Sequence, residues 1–118
     1  MAWLDQKRND HLSQTVIFSR EGYPDTELAA TMGVTHYDVL DEYGVKSVSI
    51  ATDFIVSSAS LVLSGFAVLP KVGDLFKVEE NETYASYEVL DLDGRGHFQR
   101  ADAGGVVFRI HTKQVELV

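Results

Sequence analysis

The chain contains no cysteine, so neither a disulfide framework nor a thiolate metal site is open to it. That absence fits a reducing compartment. Proline is nearly absent, with Pro24 and Pro70 the two positions where the ring fixes φ. Cationic side chains are also scarce. Ten Lys and Arg stand against eighteen Asp and Glu, a formal net charge of −8. Nonspecific affinity for nucleic acid comes mainly from neutralising phosphates, so a chain with this balance is a poor stand-alone DNA binder. A long apolar run is missing too. The best membrane candidate is the uncharged stretch from Phe54 to Pro70, interrupted by Ser57, Ser58, Ser60, Ser64 and Gly65. A spanning helix needs about 20 mostly apolar residues, so this stretch is expected to run strand, loop, strand, with no membrane association. The opening "MAWLDQKRNDHL" has no apolar stretch behind its charges and is not expected to act as a secretory signal.

What is present is ordinary for a folded domain. At 118 residues and 45% hydrophobic, the chain fits one domain that buries roughly two-thirds of its unfolded surface. Residues 1–14 predict a short helix, with Trp3, Leu4, Lys7 and His11 marking a weak stripe. Trp3 and Leu4 have two possible uses there: packing on the chain's own core, or docking on a neighbour. The rest, 15–118, predicts strands. "TVIFSR" (15–20) is β-branched and apolar, and "LAATMGVTHYDVL" (28–40) follows a Gly/Pro loop, with Gly33 as a possible bulge. "VKSVSIATDFIVS" (45–57) alternates with period two. Its Val48, Ile50, Phe54 and Val56 share the face expected to be buried. "LPKVGD" (69–74) is the sharpest turn signal, with Pro70 fixing φ and Gly73 free to take positive φ. "LFKVE" (75–79) and "YASYEVLDL" (84–92) read as strands. "DGRG" (93–96) suits a type I′ hairpin turn, "HFQRA" a short strand, "DAGG" (102–105) a turn, and 106–117 a final strand. Turns every 8–12 residues indicate a mainly β fold, a small antiparallel barrel or sandwich with a short N-terminal helix and a long loop. Ser57, Ser58, Ser60, Ser64 and Gly65 are the candidates for a mobile part of that loop.

The charge is unevenly placed. Residues 1–93 carry six Lys/Arg and sixteen Asp/Glu, whereas 94–118 carry Arg95, Arg100, Arg109 and Lys113 against Asp102 and Glu116. The balances are −10 and +2. In "FRIHTKQV" (108–115), Arg109, His111 and Lys113 recur at period two. This places Phe108 and Ile110 in the core and the three polar side chains outside, facing an acidic neighbour or DNA.

The search for chemistry is close to empty. His11, His36, His97 and His111 lack the spacing of a zinc site, although His97 and His111 can meet across a C-terminal hairpin with Asp53 or Asp74 nearby. No serine sits in a GxSxG elbow, and the acidic pairs Asp41/Glu42 and Glu79/Glu80 fall at turns. Neither glycine cluster opens a helix after a strand, so neither is a phosphate cradle. No enzyme activity, metal or cofactor is expected.

Four pieces, in order, carry a likeness: "DFIV" (53–56), "PKVGD" (70–74), "YEVL" (87–90) and "RIHTK" (109–113), with "AATMGVTHYDV" (29–39) a weaker fifth. Together they make residues 15–117 resemble the small head–tail joining proteins of tailed bacteriophages, also called head-completion, stopper or tail-attachment proteins. One departure is the turn before Tyr87, which reads as longer than the compact one the family implies. The resemblance implies a small β-barrel that is structural, not enzymatic. It implies a homo-oligomeric ring of roughly six or twelve copies between portal or adaptor and the tail terminator or tail tube. Such a ring completes the head after DNA packaging, in some cases closes the channel, and lets genomic DNA pass without sequence-specific binding. The localisation implied is the virion neck, with the host cytoplasm before assembly. On this reading Arg95, Arg100, Arg109, His111 and Lys113 are candidates for a subunit interface or the lumen, and Pro70, Gly73 and Asp74 form a family turn. Stopper ranks above neck adaptor and tail terminator. Two other readings stay open: a small barrel binding a peptide or small ligand between "DGRG" and "DAGG", and a minor enzyme centred on His97 and His111.

Overall fold

The computed structural model describes residues 13–80, 82–102, 104 and 106–115. Nine strands are assigned among them: β1 Ser13–Ser19, β2 Thr26–Leu40, β3 Lys46–Ser57, β4 Val62–Leu63, β5 Phe66–Ala67, β6 Leu75–Glu80, β7 Thr83–Val89, β8 Phe98–Arg100 and β9 Val107–Val115. A single 3-10 turn, Ser58–Ser60, follows β3. The mainly β expectation holds, and there is no α-helix among the described residues. The helix expected over 1–14 is therefore unsupported. Residues 1–12, with Trp3 and Leu4, lie outside the described residues, while Ser13 and Gln14 already belong to β1. The β-branched Thr15, Val16 and Ile17 that follow favour a pleated strand.

The pairing is antiparallel throughout and returns on itself. β1 lies between β2 and β6, β2 pairs with β3, β3 with β9, β9 with β7, and β7 with β6. β8 adds to β9 opposite Phe108–Ile110. β4 and β5 form a separate small hairpin. Inside the circuit, alternate residues meet. Phe54 stacks on Phe76 at 4.8 Å, Phe18 lies 5.2 Å from Phe76 on its other side, and Tyr87 sets its edge against Phe54 at 5.4 Å. Val16, Val56, Val89, Phe108 and Ile110 complete the packing, with Leu61 and Leu63 entering from the short hairpin. Each such side chain stabilises the fold by about 1.5–3 kcal/mol.

Local chemistry sets the turns. Asp93 and Gly94 take φ of 50° and 87°, and Arg95 N–H donates to the Leu92 carbonyl at 3.0 Å, the type I′ turn expected of "DGRG". The Asp91 carboxylate accepts from Gly94 and Gly96 N–H at 2.6 Å and holds that turn from below. The Asp41 carboxylate likewise accepts from Tyr43 and Val45 N–H at 2.8 Å, so this acid shapes the β2–β3 turn.

Three expectations change. The register from Thr31 to Leu40 is unbroken, so Gly33 is not a bulge. The connection before Tyr87 is short, because Glu80 already pairs with Thr83. Val48 and Ile50 are 65% and 57% exposed rather than buried. Among the described residues, β1 accompanies β2 only to Thr31 and β9 accompanies β3 only from Thr52, while β2 and β3 run on past both. Beyond those points β2 and β3 continue as a two-stranded ribbon.

Candidate functional site

Three features of the described surface and interior are built from residues that ordinary packing does not need.

The first is a buried carboxylate. Asp53 is 0% exposed, although it sits one residue from the core residue Phe54 on the opposite face of β3. Strand pairing sets it opposite Gly33 of β2 and His111 of β9. His111 Nδ1 donates to Oδ1 at 2.8 Å, Arg109 Nε donates to Oδ2 at 2.6 Å, and the Thr35 hydroxyl donates to Oδ2. Arg109 also donates to the Val34 carbonyl at 2.9 Å. Burial alone would push the Asp53 carboxyl up. The hydrogen bonds from His111, Thr35 and Arg109 outweigh that, and it titrates below its ordinary 3.8. Gly33 leaves room beside the cluster: a Cβ there would meet the Arg109 guanidinium at 3.4 Å, an ordinary contact, and a larger side chain would reach into it. The cluster fastens β2, β3 and β9 together.

This corrects the orientation read from "FRIHTKQV". Phe108 and Ile110 are buried as expected. His111, however, is 6% exposed, and Arg109 lies partly covered along the same carboxylate. The acid they face is their own chain's Asp53. Lys113 is exposed and pairs across the strands with Glu88. Arg95 and Arg100 are exposed on the turn and strand of the β8 end, Arg100 lying 5.8 Å over the Phe108 ring.

The second feature is a latch at "PKVGD". Asp74, 2% exposed, accepts from Arg20 through both oxygens at 2.8 Å and from Lys71 N–H at 2.8 Å. Arg20 also donates to the Leu69 carbonyl at 2.8 Å. Gly73 takes φ of 99°, and its N–H donates to the Val89 carbonyl at 3.0 Å. Pro70 is buried, and its carbonyl accepts from His97 Nε2 at 2.8 Å. The family turn is thus tied to β1, to the end of β7 and to the β8 approach. An open cleft of about 370 Å³ beside it is lined by Arg20, Glu21, Tyr23 and residues 71–74, away from the "DGRG" and "DAGG" turns.

His97 and His111 do meet, but through backbone: His111 N–H donates to the His97 carbonyl at 2.9 Å, and the two rings serve different partners. Among the described residues no three His, Asp or Glu side chains gather as a metal site. No helix among them is long and apolar enough to cross a membrane. Ser57 closes β3, Ser58 and Ser60 lie in the 3-10 turn, and Ser64 and Gly65 form the β4–β5 turn at φ of 52° and 84°.

The third feature is the ribbon. Cross-strand register puts Val34, Ile50, Val48 and Leu40 on one face, all exposed, with Tyr43 and Val45 at the tip. Large apolar side chains gathered in water mark a surface that something covers.

A family model for the phage head-tail joining protein matches residues 1–118, the whole chain. The chain belongs to the phage head-tail joining protein family. It is a structural component of the phage neck, part of the virion at the head–tail junction, and it contacts other head and tail proteins. No curated protein matches the chain. Sequence reasoning missed Arg20 and the inward role of Asp53. Asp53 carried a signal, a lone acid on an apolar strand whose later partner strand brings Arg and His at period two. Arg20 carried none, because its partner lies 54 residues away.

Proposed function

We propose that the protein assembles as a closed ring on the portal side of the neck after DNA packaging, completes the head, and presents the surface to which the tail docks. The single observation that carries this reading is the family match over residues 1–118. The fold supports it: a closed circuit of strands carries a ribbon that no other described strand covers, as a subunit needs when its contacts lie on other copies. Closure of the DNA channel belongs to the same reading. The candidates for the moving part are the β4–β5 hairpin and the ribbon tip. Lumen DNA passes such a ring without sequence-specific binding, since acidic residues outnumber cationic ones on this chain. Before assembly the protein resides in the host cytoplasm. Of the neck classes, stopper ranks above adaptor and tail terminator.

Purified protein added to filled heads that lack it tests this reading. The expected result is a ring on the portal vertex and recovery of tail attachment. Tail attachment without the protein, or a chain that never binds heads, contradicts it.

A further inference from the structure

Among the described residues the ribbon has two open edges as well as an apolar face. On the side of β2 away from β3, pairing with β1 stops at Thr31, and Met32–Leu40 has no strand partner among the described residues. On the side of β3 away from β2, pairing with β9 begins at Thr52, and Lys46–Ala51 has none. Open edges of this length, rich in valine and isoleucine, invite another strand, and native proteins normally block or cover them. A two-stranded ribbon is also marginally stable alone in water.

The two edges complement each other. The open stretch of β2 carries Asp38 as its one formally charged side chain, and that of β3 carries Lys46. Within one copy these two lie 3.2 Å apart, largely exposed, so their mutual attraction is weak and both remain available to a neighbour. β2 and β3 run antiparallel. Setting β3 of one copy against β2 of the next therefore continues the antiparallel alternation and keeps the same faces aligned. Two different edges in contact make a heterologous, head-to-tail step, which closes into a ring when the rotation per copy divides a full turn.

We infer that the ribbon pairs edge to edge with a second copy of this chain, β3 Lys46–Ala51 of one copy against β2 Met32–Leu40 of the next. Main-chain hydrogen bonds supply the contact. Val34, Val48 and Ile50 become cross-strand neighbours of the next copy's apolar side chains. The inference rests on the ring reading above and names the strands that join the subunits.

The absence of native cysteine makes the test clean. His36→Cys and Val48→Cys change exposed ribbon residues on opposite strands of one face, outside the core. The two variants are purified separately, checked for wild-type melting, mixed, and added to filled heads that lack this protein. A short bifunctional thiol cross-linker follows. The expected product is a homodimer of doubled mass from the mixture and its loss when either variant is used alone. A dimer from one variant alone indicates a two-fold contact between like edges and overturns the inference. So does a cross-link to a head or tail protein, or a ring with no cross-link; in these cases the ring reading stands. If wild-type protein forms no ring on the heads, the ring reading falls and takes the inference with it.

Discussion

Asp53 on β3 joins β2 and β9 through one buried carboxylate. A carboxylate at 0% exposure is costly unless it is paired and hydrogen-bonded, and here three donors from β2 and β9 converge on it. Asp53→Ala leaves Arg109 and His111 facing a hole, and the expected loss is about 3 kcal/mol of unfolding free energy, read by urea denaturation. The pH dependence follows from the depressed titration of Asp53. Its stabilising contribution is fully present above the unfolded carboxyl value of about 3.9 and is lost as pH falls through the lower folded value. Melting temperature should therefore drop as acid is added below about pH 4, and Asp53→Asn should flatten that drop while lowering stability at neutral pH. A neighbouring test uses Gly33. Alanine fits, because its Cβ meets the Arg109 guanidinium at ordinary contact distance, whereas Gly33→Val adds methyl groups where Arg109 lies. The expected cost of valine is about 1–3 kcal/mol from overpacking, and an equal stability of the alanine and valine variants would contradict the clamp.

Among the strands, the core and the ribbon answer to different physics. Phe54→Ala removes the ring between Phe76 and Tyr87 and should cost about 3–5 kcal/mol. Val48→Thr with Ile50→Thr touches no core contact and should leave unfolding within about 0.5 kcal/mol of wild type while weakening assembly on heads, read by tail attachment. The contrast shows what the sequence could and could not reveal. A β-branched apolar run was enough to place β1, period-two alternation placed β3 and β9, and "DGRG" named its own turn. Alternation reports which residues share a face, not whether another layer covers that face. Val48 and Ile50 thus looked like core when they lie beyond the last neighbouring strand. The same limit hid Asp53: on parity it belonged outside, and only the β3–β9 register, which sets it opposite His111, explains its burial. The latch between Arg20 and Asp74 joins the first strand to a turn 54 residues later, and no local pattern encodes such a pairing.

The molecule as a whole measures 52 × 39 × 36 Å. The β2 stretch from Met32 to Leu40 alone spans roughly 30 Å at strand rise. Charge adds to this shape. Arg109 and His111 are committed to Asp53, which leaves Arg95, Arg100 and Lys113 as the exposed cations of the C-terminal region. Arg95→Glu with Arg100→Glu should leave the monomer melting as wild type does and slow neck assembly. Unchanged assembly would remove the β8 end from the subunit contacts.

The most direct measurement is electron microscopy of filled heads from phage that do not make this protein, before and after the purified chain is added. The account predicts a ring of protein at the portal vertex and tails attached only after the addition. Heads that bind no chain, or that accept tails equally well without it, would contradict it.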